Sequence, residues 1–264
     1  MKMRIAVLVL CVFALSLSAA YAGTVNMKVA DLTTYGWKAT AKSSVAEPGA
    51  SVQDKLNYAG SNGIQFSPKR SVSNDRAYAA ISTSAFQGVA ISSITSLSIR
   101  TFGAEGDGSA WQPPTFQLWL YKAPTNLSLR PIVYLPWTGG NARAPGSWNT
   151  YNALTAGNWY CPWTGATYAN WAAVVAGIPE GFISDAAAGA NTPTGQAFEV
   201  GALPAFNETI TYFSSARGTV DWFDVGISGV TTRYDLGEVP VPEPGSILAL
   251  TMGLVGFVGL RRKR

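Results

Sequence analysis

The chain has 264 residues, 47% hydrophobic and only 13% charged, with 19 basic and 15 acidic side chains and no histidine. Without histidine, Ser-His-Asp and Cys-His nucleophile pairs, histidine-ligated zinc and a histidine general base are excluded. Lys2, Arg4, Arg261, Arg262, Lys263, Arg264 and Glu243 all sit in the end segments, so the body between them is close to neutral and holds no basic patch for nucleic acid.

In chain order, residues 1–22 read as a secretory signal peptide. Lys2 and Arg4 form its basic start and Ile5 to Leu17 its apolar core. Ala20-Tyr21-Ala22 is a small-x-small cleavage site before Gly23. The apolar core is too short to prefer spanning a bilayer, so removal is expected. Cys11 lies inside that core with no small residue before it, which argues against a lipid-modified cysteine. Cys161 is then the only thiol left in the mature chain. It can form no intrachain disulfide and is expected to be a buried small hydrophobe.

Residues 23–236 alternate with period two. Phe116, Leu118 and Leu120 share one face of Thr115–Tyr121, and Trp119 and Tyr121 share the other. Leu97 and Ile99 alternate with Ser96, Ser98 and Arg100; Val220, Trp222 and Asp224 alternate with Asp221, Phe223 and Val225. Further strands are predicted at Val25–Val29, Tyr35–Ala41, Gly63–Phe66, Ala77–Ser82, Pro131–Leu135, Ser147–Tyr151, Ala197–Val200 and Thr209–Phe213. Glu105-Gly-Asp-Gly, Pro113-Pro114 and Gly139-Gly-Asn mark turns between them. One helix is predicted, capped by Thr167, with Trp171, Val174 and Val175 on one face and Gly177 and Pro179 ending it. Many short strands with one short crossing helix predict an all-β fold, an antiparallel β-sandwich of jelly-roll type.

The end of the chain has three parts. Residues 237–246 are proline-rich and stay extended. Ile247 to Leu260 carries no charge and reads as a transmembrane helix of only about 22 Å, short of the ~30 Å hydrocarbon core. Arg261-Arg262-Lys263-Arg264 then forms a basic cytoplasmic tail. Val241-Pro242-Glu243-Pro244, a short glycine-dotted span and an arginine cluster together resemble the PEP-CTERM sorting signal of bacterial exported proteins. That resemblance implies export through the secretion machinery of a Gram-negative bacterium, transient anchoring in the inner membrane and recognition by an exosortase. The final location would be the cell envelope or extracellular matrix, as in exopolysaccharide and biofilm. More weakly, Ser93 to Thr101, Phe116 to Tyr121, Val133 to Trp137 and Ser147 to Tyr160 resemble jelly-roll modules of the galactose-binding and carbohydrate-binding kind. There a strand like Gly218–Trp222 closes the sheet near the C-terminus.

Carboxylates are the chemistry left to the body. Glu105, Asp107, Glu180, Asp185, Glu199, Glu208, Asp221 and Asp224 are its candidate acids. Two-carboxylate glycoside hydrolysis needs a facing pair. Strict alternation puts Asp221 and Asp224 on opposite faces, while Glu105 and Asp107 share an open loop. No catalytic residue is therefore assigned, and no cofactor beyond calcium at Glu105, Asp107 and Asp221. Sugar binding needs flat aromatic faces, and Trp111, Trp137, Trp159, Tyr160 and Trp163 lie beside Gly, Pro or Asn in predicted loops. Trp119, Trp148, Trp171 and Trp222 are expected in the core. The expectation is a non-catalytic exported sandwich with a structural or glycan-contacting surface. The alternatives are a secreted carbohydrate-active enzyme and a dedicated carbohydrate-binding module.

Overall fold

The structure is a computed structural model that describes residues 21–42, 51–58, 61–67, 78–102, 113–122, 130–136, 138, 146–185, 194, 196–202 and 218–237. Several sequence expectations lie outside these residues: the leader up to residue 20, the acids Glu105 and Asp107, the rings Trp111 and Trp137, the strand at 209–213, the Pro-Glu-Pro strip, the membrane segment and the basic tail. No helix among the described residues is long and apolar enough to cross a membrane.

The strands are β1 (Tyr21–Asn26), β2 (Lys38–Lys42), β3 (Ser51–Tyr58), β4 (Ser61–Ser67), β5 (Tyr78–Thr83), β6 (Ile94–Phe102), β7 (Thr115–Lys122), β8 (Arg130–Leu135), β9 (Trp148–Asn152), β10 (Asn158–Cys161), β11 (Ala166–Tyr168), β12 (Gly181–Ile183), β13 (Phe198–Ala202), β14 (Gly218–Ile227) and β15 (Val230–Asp235), with helix α1 (Trp171–Gly177) between β11 and β12. They form two sheets. The first runs β1-β15-β14-β4-β3, with β6 on the other side of β14 and β9 beyond it. The second runs β11-β10-β8-β7-β13-β5-β2, with β12 on β7. This is the all-β sandwich expected.

Two features of the topology differ from expectation. β1 and β15 pair in parallel, through Thr24 with Arg233, Val25 with Tyr234 and Asn26 with Asp235. The two strands come from opposite ends of the body, so no hairpin forces them antiparallel. The Gly218–Trp222 segment does not close a sheet either. It opens β14, which lies inside the first sheet with β6 on one side and β4 and β15 on the other. Gly23, with φ +117°, sits where the β1–β15 ladder is irregular, between Tyr21 and Thr24. Cleavage before Gly23 would leave the Thr24–Asn26 pairs in place.

Period-two alternation explains the core. Phe116, Leu118 and Leu120 of β7 and Phe198 and Val200 of β13 point into one buried cluster, and so do Val220 and, past a register shift in β14, Phe223 and Val225. Trp37 links the sheets: its ring lies 5.3 Å from Phe223, 5.3 Å from Tyr234 and 6.1 Å from Phe198, edge to face. Trp159 and Trp171 meet at 4.9 Å and seat α1 against the end of the second sheet. The helix cap is Asn170, whose Oδ1 accepts from the Ala173 N–H at 2.9 Å. Thr167, the expected cap, is in β11 opposite Tyr160. The three-residue β11 intervenes because the Gly165 turn, at φ +70°, folds the chain back onto β10.

Candidate functional site

Among the expected platform rings within the described residues, Trp163 alone is exposed, at 50%; Trp159 is fully buried and Tyr160 retains 8%. Gly157-Asn158 and Pro162, which read as loop residues, bracket the short strand β10. Alternation then turns Trp159 and Cys161 inward and Tyr160 onto the opposite face, across from Val133. Trp159 Nε1 donates to the Ala153 carbonyl at 2.8 Å, which makes this indole a core element. Cys161 is a buried free thiol, as expected. Trp119 and Trp171 are buried as expected, whereas Trp148 and Trp222 are only half-buried.

Those two half-buried rings belong to the outer face of the first sheet. Arg233 lies 4.0 Å over the Trp222 ring and Arg100 lies 5.1 Å over Trp148. Each arginine also holds an acid. Arg233 binds Asp224 through two bonds of 2.8 and 2.9 Å, and Arg100 Nη1 pairs with Asp221 Oδ2. A bulge makes the second pair reachable. Val220 pairs with Thr101 and Trp222 with Arg100, leaving Asp221 as the extra residue. The strict alternation that separated Asp221 from Asp224 is broken there, and each acid finds its own arginine.

The same region is where the body ends. The Leu236 N–H donates to the Asp221 carbonyl at 2.7 Å and the Gly237 N–H to Asp235 Oδ1 at 2.9 Å. A Cβ on Gly237 would sit 3.1 Å from Asp235 Oδ1 and 3.2 Å from Asp221 Oδ1, so both carboxylates crowd this backbone. Burial raises the Asp235 carboxyl above its ordinary range; the Gly237 N–H offsets this, Asp221 adds to it and Arg233 opposes it. Among the described residues no three His, Cys, Asp or Glu side chains gather as a metal site. Asp221, the described member of the calcium trio, is committed to Arg100.

The outer face of the second sheet is different in kind. One row runs across it through Thr167, Tyr160, Val133, Gln117, Glu199, Ser82 and Lys38. From Tyr160 to Ser82 this row is buried. Glu199 is fully buried and takes four donors. Oε2 accepts from Gln117 Nε2 and from Trp119 Nε1 at 3.3 Å, and Oε1 accepts from the Thr194 N–H at 3.2 Å and from the Thr194 hydroxyl. Burial outweighs these bonds and pushes its carboxyl up to about 7. Trp163 reaches the cluster from outside, edge to face on Trp119 at 5.8 Å. The sequence places Glu199 opposite Phe198 and Val200 by alternation, but nothing local announces that this second face is covered. Arg100 and Arg233 were not singled out either, since their partners come from other strands.

Comparison with known proteins adds one identification. Residues 240–263 match the model of the PEP-CTERM protein-sorting motif. Searches of curated proteins and of solved structures find no match to the chain. The chain thus carries the sorting signal of an exported protein recognised by an exosortase.

Proposed function

We propose that this exported, exosortase-sorted chain delivers a non-catalytic β-sandwich to the cell envelope or extracellular matrix, where its body serves as a structural or glycan-contacting surface. The observation that carries the reading is the sorting signal at residues 240–263. The short span of Ile247 to Leu260, with Arg261, Arg262, Lys263 and Arg264 behind it, suits temporary retention while Val241, Pro242, Glu243 and Pro244 are presented for processing. The non-catalytic part is supported by how the described acids are used. Asp221 and Asp224 neutralise arginines, and Glu199 is enclosed by its own hydrogen-bond donors. Calcium plays no part in this reading.

The test is the intact mass of the protein recovered from its native host. A mature chain beginning at Gly23 and ending near Pro242–Pro244 is expected, and Glu243→Ala is expected to leave the tail attached. Unchanged maturation of Glu243→Ala would overturn the sorting mechanism. A second reading, a dedicated sugar-binding module, is favoured by Trp163, which offers an exposed ring supported edge to face by buried Trp119. Loss of polysaccharide retention in Trp163→Ala, with the fold intact, would select it over a purely structural body.

A further inference from the structure

Glu199 and Gln117 stand directly opposite each other on β13 and β7, and both are fully buried. Gln117 spends its Nε2 on Glu199, while its own buried carbonyl oxygen, Oε1, has no hydrogen-bond partner among the described residues. An orphaned buried acceptor is destabilising, and here it belongs to an amide already locked against a carboxyl. A charged carboxylate only accepts hydrogen bonds, whereas a protonated one must place an O–H. The amide across the strand offers a donor on one side and an unused acceptor on the other. A half-turn of its terminal group exchanges them.

We propose that Glu199 and Gln117 form a proton-operated switch: charged Glu199 accepts from Gln117 Nε2, and neutral Glu199 donates its proton to Gln117 Oε1 after the amide turns over, slackening the hold on Thr194. The proton comes from solvent and returns to it, and no other bond is made or broken. The slackening follows from charge. Bonds to an ionised acceptor are about twice as strong as those to a neutral one, and Glu199 Oε1 is the acceptor for both the N–H and the hydroxyl of Thr194. Thr194 in turn orders the start of β13, because its hydroxyl accepts from the Gln196 N–H at 3.3 Å.

Among the described residues, few other titratable groups lie near Glu199. Tyr78 on β5 feels its charge, and Asp185 accepts from the Ala197 N–H at 2.8 Å two residues before it. Lys38 on β2 lies beyond Ser82 in the same row. Among the described residues no lysine or arginine bridges Glu199, so its charge is held by neutral donors alone. That is the condition under which a proton can bind without displacing a counter-ion. Since the chain is exported, this site would meet the pH of the surroundings.

The test is NMR of the purified protein with labelled glutamate and glutamine side chains, titrated from pH 4.5 to 8.5. One glutamate carboxyl should titrate near 7, absent in Glu199→Gln, and the Gln117 side-chain amide signals should move with the same midpoint. The Thr194 amide should lose hydrogen-exchange protection severalfold on the acid side. In Glu199→Gln, whose amide mimics the neutral acid, Gln117 should sit at its low-pH position at every pH. If that variant does not fold, the wild-type titration decides alone. A Glu199 carboxyl titrating near 4.5, or Gln117 signals that stay fixed while Glu199 titrates, would overturn the switch.

Discussion

The outer faces of the two sheets obey the same alternation and reach opposite electrostatic solutions. On the first sheet, Arg100 and Arg233 lie over half-buried indoles and each is paired with an aspartate, so charge is met by charge close to water. On the second sheet, Glu199 is sealed in and, among the described residues, met by the dipoles of Gln117, Trp119 and Thr194. At Glu199 the four donors do not offset the burial. Desolvation wins, and the group becomes a proton acceptor in the neutral range.

The most disruptive way to break this contrast is Trp119→Ala. It empties a fully buried indole site and removes one donor to Glu199. A loss of about 3–5 kcal/mol is expected in urea unfolding, with the Glu199 titration moving further up; a loss below about 1 kcal/mol would mean the indole packs less tightly than its burial implies.

Next in size is the pH dependence of stability. The folded pKa of Glu199 is raised from 4.5 to about 7. Between these values the native state holds a proton that the unfolded chain has released. Stability from this group is therefore fully present below about 4.5, falls as pH rises through the window, and is flat above 7. The full change is on the order of 3 kcal/mol. Urea midpoints of wild type and Glu199→Gln across this range check it, since the variant should lose that slope.

A smaller effect belongs to the first sheet. Arg233→Ala leaves Asp224, which retains only 7% exposure, without its bidentate partner and uncovers Trp222. A loss of about 1–2 kcal/mol is expected, with Arg233→Lys recovering only part of it because an ammonium cannot form the fork. Thermal melts of the three proteins give the ranking. The smallest effect is metal removal: with Asp221 engaged by Arg100, EDTA is expected to leave Tm unchanged. A rise of several degrees on adding calcium would show that the tail exit, where Asp221 and Asp235 flank Gly237, holds an ion after all.

Much of the strand pattern was legible in the sequence, because alternation in β7, β13 and the regular stretches of β6 and β14 is a local property, whereas the bulge at Asp221 was not. β3, β10, β11, β12 and β15 were not legible, since they are short, interrupted by turn residues or rich in polar side chains on both faces. The candidate surface was harder still. Trp159 and Trp163 are four residues apart among the same Gly, Asn and Pro neighbours, yet one is core and the other exposed. Only the β10–β11 hairpin and its docking against β8 separate them.

By itself the sequence determined the sorting signal and the exclusions: the motif is written in contiguous residues and the absence of histidine chemistry in composition. The tertiary structure decided everything that depends on strands far apart in the chain. It set β1 parallel to β15, gave Asp221 and Asp224 their arginines, and buried Glu199 beneath a second covered face. The physical reason is that pairing and desolvation are non-local. A residue's own neighbours in sequence fix which way it points, while residues on other strands fix what it meets there.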